Sequence, residues 1–307
     1  MEINIYKKSL KDRNLLKLEK PTPGSWIFVE NFNKNDINFL AKNFKINRNS
    51  LEDVIDEFTQ PRLEIIKNFL YIFLKIPHFE NNEIKLLPIL IILTPKYIFT
   101  IFNKKTNIFN LLTNDQINFF TTQKTKFFLL KLNLINKSYR NLVDKLIKGS
   151  EEFYSDIYSQ LDDKKIIEFS KLEILLSTTL SALIIIYKVY EKLLFKKYLE
   201  FLQEEKGNVD DLSFDMLELI EIINSNIKRL KIIKDNYRMI MDRSLNKRIL
   251  NLTIITIILF IPTIIFSYYG MNIPLPLQDS ILSTIIISIL SIILMILGYF
   301  LLKNRIK

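Results

Sequence analysis

The chain has 307 residues, enough for one large or two ordinary domains with a buried core. It holds no cysteine, one histidine and five glycines, which excludes disulfides, thiolate metal centres, multi-histidine zinc sites and the glycine-rich loops that cradle nucleotide phosphates. Lys and Arg outnumber Asp and Glu by 43 to 33, a net charge of +10 that would point to nucleic acid on a soluble chain, but part of it has a membrane explanation.

The first 125 residues read as an α/β unit. Met1–Lys20 is charged and lacks an apolar core, so no signal peptide is expected. Trp26–Val29, Leu70–Ile76, Leu86–Leu93 and Tyr97–Ile101 are short, apolar, rich in Ile and aromatics, and set off by turn residues such as Pro77 and Pro95, which predicts strands. Asp36–Asn43 and Ser50–Asp56 read as helices, the second with Ser50 as its N-cap. The lone His78 falls in the polar stretch Pro77–Asn82 and is expected in a surface loop.

Beyond about residue 125 the pattern is helical. Helices are predicted at about 125–160, 165–205 and 211–269, with breaks near Asp162–Lys164 and at Gly207; the polar stretch Gln203–Asn208 is then a linker open to proteases. Ile174–Tyr187 is apolar but too short for a span, so a buried helix is expected. No Pro or Gly occurs between Asn208 and Ile261, so the third helix can run without a break. A lone helix of that length is unstable, and its apolar positions call for partners.

Two runs then end the chain. Ile249–Gln278 has no charge, Asp279 interrupts, and Ser280–Leu302 is again uncharged; each exceeds the roughly 20 residues a spanning helix needs. Arg243, Lys247 and Arg248 precede the first run and Lys303, Arg305 and Lys307 follow the second, while the loop between has no Lys or Arg. Positive residues stay inside, so both flanks and both termini are expected in the cytoplasm.

Steps of three and four from the stalk into the first run pick out Asp235, Met239, Asp242, Asn246, Ile249, Thr253, Thr256, Phe260, Thr263 and Ser267. Such steps follow one helix face. A face that is acidic, then amide, then hydroxyl does not suit lipid and is a candidate pore lining. The other reading is that these hydroxyls only bond their own helix carbonyls four residues back. Pro262 leaves the Ile258 carbonyl without its helix donor, which is tolerated beside a cavity. The run reaches Tyr269-Gly270-Met271-Asn272, where Gly270 can end the helix in a left-handed turn and Asn272 offers an uncharged oxygen at the mouth.

With these residues in view, the sequence resembles the CorA family of magnesium channels, whose signature is a GMN tripeptide ending the first of two C-terminal membrane helices. The likeness covers LNKRILNLTIITIILFIPTIIFSYYGMN (Leu245–Asn272) and LEDVIDEFTQPRLEIIKNFLYIFLKIP (Leu51–Pro77), with Trp26 on a strand that bears a tryptophan in the family. It implies a homopentamer around one pore in the inner or plasma membrane. Tyr269, Gly270, Met271 and Asn272 would form the selectivity filter, and Asn246 an inner asparagine ring. Ile249, Leu252 and either Phe260 or Ile261 would form an apolar constriction. Oxygen donors without charge suit hydrated Mg²⁺, which gives up water reluctantly. The family also holds a regulatory Mg²⁺ between subunits; Asp53 matches one ligand, and Asp211 or Asp215 the other. Without the family, Asp53 reads as a helix-start residue favoured by the dipole.

The sequence therefore predicts an α+β membrane protein: a cytosolic α/β domain (1–125), a helical stalk region (126–248) and two transmembrane helices with an outer GMN loop and a basic tail (249–307). No catalytic residues are assigned; the chain is expected to be a passive channel for Mg²⁺ uptake, closed by Mg²⁺ on the cytosolic side, with its own copies and the lipid bilayer as partners and no nucleic acid. Co²⁺ and Ni²⁺, with hydrated ions of similar size, would leak through. The rival readings are a Zn²⁺/Co²⁺ transporter of the same fold, against which Met271 speaks because related zinc transporters tend to replace it, and a membrane-anchored binding protein.

Overall fold

The computed structural model describes residues 1–80, 83–156, 163–195, 198, 201–272 and 281–305. The predicted break at Asp162, the loop with Gln278 and Asp279, and Lys307 of the basic tail lie outside these residues. The chain forms two compact units, Met1–Lys231 and Ile232–Lys307.

The first unit is built on seven strands: β1 (Glu2–Lys7), β2 (Leu16–Leu18), β3 (Trp26–Glu30), β4 (Arg62–Ile66), β5 (Phe69–Glu80), β6 (Glu83–Leu93) and β7 (Ile98–Phe102). They form one sheet in the order β2-β1-β3-β7-β6-β5-β4, with only β3 and β7 parallel. Side chains alternate across a strand. Trp26 and Phe28 therefore join one core, and Ile27 and Val29 the other. The second core is closed by α1 (Ile37–Phe44) and α2 (Arg48–Glu52), through Ile37, Leu40 and Leu51.

The first core is closed by α4 (Lys124–Asp156), α5 (Asp163–Leu193) and the start of α6 (Gln203–Tyr269); α3 (Asn110–Thr113) is a single turn. Buried Asn136 on α4 ties these three long helices together. It accepts from Tyr190 Oη of α5 (2.8 Å) and donates to the Leu212 carbonyl of α6 (3.0 Å). Tyr139 Oη donates to the Lys75 carbonyl (3.0 Å), fixing α4 to β5.

Several predicted details change. The cap of α2 is Asn47, three residues earlier than the expected Ser50: the Asn47 side chain accepts from the Ser50 amide, so Ser50 lies inside the helix. The helix stops at Glu52, so Asp53 stands at its C-terminal end and the helix-start reading of Asp53 fails. His78 belongs to β5, opposite Lys85, because that hairpin extends past Pro77. Gly207 does not break the chain: α6 starts at Gln203 and passes through it, so the predicted linker is helix. The apolar stretch of α5 packs Leu176, Leu183, Ile186 and Tyr190 into the first core.

The second unit consists of the rest of α6 and α7 (Ile281–Arg305). Among the described residues, three helices are long and apolar enough to cross a membrane: Ile167–Leu193, the apolar part of α6, and Thr284–Leu302, with mean hydropathies of 1.7, 2.5 and 2.9. A third of the α5 window is buried inside the protein, against none of the α6 window and 6% of the α7 window. The two helices of the second unit thus carry apolar surface that the chain itself leaves uncovered.

Candidate functional site

Within the second unit α6 has two unlike faces. Ile254, Ile258, Ile261, Pro262, Ile265 and Tyr269 recur at steps of three and four and are half-buried. Ile261 reaches α7, where its Cδ1 lies 3.1 Å from the point that a Cβ on Gly298 would occupy. Ser291, the one buried residue among those described on α7, lies two turns before Gly298 on the same helix face.

The predicted polar stripe lies on the other side. Thr256, Phe260, Thr263 and Ser267 each follow a half-buried residue by two positions, about 200° around the helix at 3.6 residues per turn. They are exposed, as are Ile249, Leu252 and Thr253 and, nearer the first unit, Asp235, Met239, Asp242 and Asn246. Sequence reasoning left Phe260 and Ile261 equivalent; here Ile261 packs on α7 and Phe260 belongs to the open face.

The threonine hydroxyls do bond their own helix. Thr253, Thr256 and Thr263 donate to the carbonyls of Ile249, Leu252 and Leu259, each at 2.9 Å. A hydroxyl has one hydrogen and two lone pairs. Donating the hydrogen inward leaves the lone pairs outward, so a back-bonded threonine still presents an acceptor. The two readings of the stripe are therefore compatible. α6 continues through Pro262 without a break.

The helix end differs from expectation. The Gly270 amide donates to the Phe266 carbonyl at 2.9 Å, and the Met271 amide to Tyr268 at 3.4 Å, so the chain still winds as a helix. Gly270 is not left-handed; among the described glycines only Gly24 has a positive φ. What favours glycine at 270 is close approach, since a Cβ there would sit 3.3 Å from the Phe266 carbonyl oxygen. Met271 and Asn272 are exposed at this end.

In the first unit Asp53 faces Arg62. The Arg62 Nη2 donates to Asp53 Oδ2, and its Nε donates to Glu64 Oε1 at 2.7 Å. Arg62 and Phe73 are directly paired across β4 and β5, and the guanidinium carbon lies 3.9 Å from the Phe73 ring centre. Burial alone would lower the Arg62 pKa, but the bonds to Glu64 and Asp53 outweigh it and raise it. The Asp53 carbonyl accepts from Thr59 Oγ1 at 2.7 Å, which pins the backbone.

The two stalk carboxylates differ. Asp215 pairs with Arg140 of α4 at 3.5 Å, and Arg140 bonds Glu218 at 2.8 Å, which lowers the Glu218 pKa. Asp211 is exposed and makes no ion pair among the described residues. Sequence reasoning missed Arg62 and Arg140. Arg62 was findable, because Arg62 and Glu64 share a strand face; Arg140 was not, because its partners lie more than seventy residues away. Among the described residues no group of three or more His, Asp or Glu side chains gathers to hold a metal.

A mixed sheet between helical layers and a helix of 67 residues whose last part is apolar enough to cross a membrane set the class, a sheet domain joined to candidate membrane helices. The family described as CorA-like Mg²⁺ transporter protein matches residues 24–304, and the chain belongs to it. It is thus a CorA-family divalent-cation transporter. Solved structures agree in fold. The complete CorA magnesium transporter of Methanocaldococcus jannaschii superposes with a TM-score of 0.85 at 22% identity, covering 98% of this chain and 97% of that one. Full-length CmaX gives 0.69 at 11% identity, covering 97% of each chain. The ZntB cytoplasmic domain of Vibrio parahaemolyticus gives 0.64 at 11%, covering 78% of this chain and 98% of that one. No curated relative matches in sequence.

Proposed function

We propose that the chain is a passive channel for hydrated Mg²⁺, working as a homopentamer in the inner or plasma membrane with both termini in the cytoplasm. Residues 1–125 and 126–248 would form the sensing and stalk parts, and 249–307 two membrane helices. The observation that carries this reading is the opposition of faces on α6. The half-buried row, whose Ile261 meets α7, is apolar, and the row opposite bears Thr253, Thr256, Thr263 and Ser267 and leads to Gly270-Met271-Asn272. Copies arranged with α7 outward would turn the outward lone pairs into rings of neutral acceptors, which can hydrogen-bond a hydrated cation and release it. Asn246 and Asn272 would add amide rings, and Ile249, Leu252 and Phe260 an apolar constriction. A divalent ion entering down the membrane potential gains about 4.6 kcal/mol per 100 mV, so no energy source is required.

Closure by cytosolic Mg²⁺ would run through Asp53 of one copy and Asp211 of the next. Of the two stalk candidates we take Asp211, which makes no ion pair among the described residues, so that the copy bearing it adds no competing cation. The test is growth of a magnesium-uptake-deficient strain together with Mg²⁺ flux into liposomes. Rescue and flux blocked by cobalt hexaammine, which cannot shed its ligands, are expected; no flux from a well-folded protein would overturn the reading. The fold likeness to ZntB keeps Zn²⁺ as the second reading. Preferential flux of Zn²⁺ over Mg²⁺ in the same liposomes would favour it.

A further inference from the structure

We propose that Arg62 is a tethered counter-cation that competes with Mg²⁺ for Asp53 and so sets the concentration at which the sensor responds. The inference rests on the reading of Asp53 as a ligand of the regulatory ion. Asp53 fits that ion: it is a hard oxygen donor, its side chain is 37% exposed, and among the described residues only its Oδ2 is engaged. The engaged partner is held in place. Arg62 lies over the buried ring of Phe73 and is forked between Asp53 and Glu64. A guanidinium fixed in this way loses little freedom when it pairs.

This geometry changes the charge balance at the site. Two bare carboxylates brought together from neighbouring copies would repel until a divalent ion arrived. Here Asp53, Glu64 and Arg62 together carry a single negative charge. Asp211 of a second copy would bring the total to two, the charge one divalent cation cancels. Without Arg62 the total would be three, and the site would hold Mg²⁺ at lower concentration. With Arg62 the ion must draw Asp53 away from a partner already in place, which shifts the response upward. Glu64 acts on the same balance from the other side: it draws part of the guanidinium away from Asp53.

The test uses the full chain in detergent and reads survival against trypsin as Mg²⁺ is titrated. Arg62→Gln is expected to lower the half-protective concentration about fivefold, the scale of a partly exposed ion pair. Glu64→Gln is expected to raise it, because it leaves Arg62 to Asp53 alone. Asp53→Asn is expected to abolish the Mg²⁺ dependence in the parent and in the Arg62→Gln background. If Arg62→Gln fails to fold, the direction of the Glu64→Gln shift decides. An unchanged midpoint in whichever of the two folds, with Asp53→Asn still abolishing protection, would make Arg62 a structural residue only and overturn the proposal. Mg²⁺ protection surviving in Asp53→Asn would instead overturn the sensor reading beneath it.

Discussion

Ile261 and Gly298 meet across α6 and α7 so closely that a Cβ on Gly298 would lie 3.1 Å from Ile261 Cδ1. The contact lets two bulky apolar helices approach, as small residues do in membrane interfaces. The neighbour is the end of a flexible side chain, so Gly298→Ala should be absorbed by a small shift of Ile261. Gly298→Leu cannot be. It should destabilise the protein by about 1–3 kcal/mol, the usual cost of overpacking. Thermal melting of the detergent-solubilised protein should separate the two variants.

The same contact separates two adjacent residues, Ile261 on the side of α7 and Phe260 on the open face. Ile261→Ala should leave a gap against α7 and lower stability with little change in the ion flux of the folded fraction. Phe260→Ala touches the open face instead. If that face lines the pore, the substitution widens an apolar constriction that closes by excluding water, and should raise Mg²⁺ leak when cytosolic Mg²⁺ is high. Flux and melting measured on both variants test the assignment; the opposite pattern would place the pore on the α7 side.

At the helix end, if Asn272 lines the filter, Asn272→Ala should abolish flux and leave the assembled size by gel filtration unchanged, because Asn272 is exposed and its loss removes no buried volume. Gly270→Ala should also lose flux. The cause is a Cβ pressed to 3.3 Å from the Phe266 carbonyl oxygen, a backbone atom that cannot swing aside. A variant at either position that conducts like the parent removes that residue from the filter.

Much of this arrangement was legible in the sequence, and the gaps have physical causes. The four buried central strands announce themselves as Ile- and aromatic-rich runs, because both faces of the sheet are covered. The edge strands β2 and β4 and the strand β1 do not; β2 has three residues, and β1 interleaves Ile3 and Ile5 with charge and amide. The polar stripe was readable because helix periodicity is local, whereas its opposition to α7 needed the position of Gly298. The left-handed end at Gly270 was a reasonable expectation from composition. It failed because the helix runs on past Tyr269 in its hydrogen bonding. Asp53 was singled out by motif; its partner Arg62 comes from the neighbouring strand β4, and only the sheet register sets that guanidinium over Phe73.

A buried lysine supplies the last prediction. Lys131 is fully buried on α4 and pairs with no carboxylate among the described residues; its Nζ donates to Thr100 Oγ1 at 2.7 Å and lies 4.4 Å from the ring centres of both Trp26 and Phe127. The rings favour the ammonium. Burial disfavours it more and pushes the Lys131 pKa well below the ordinary lysine value. The unfolded chain then binds a proton that the folded chain releases, so stability rises with pH between the depressed folded pKa and about 10.4, the value of a free lysine. Below the folded pKa both states are protonated and the penalty is complete. Lys131→Met keeps the length and removes the charge, while Thr100 Oγ1 still accepts from Trp26 Nε1 at 3.0 Å. It should stabilise the protein at neutral pH by about 1 kcal/mol or more, as replacing buried charge with apolar volume often does. It should also flatten the rise in melting temperature between neutral pH and pH 10. A Lys131→Met protein that melts lower than the parent across that whole range would mean that the cage and the Thr100 bond outweigh desolvation, and that Lys131 is held there as a stabilising cation.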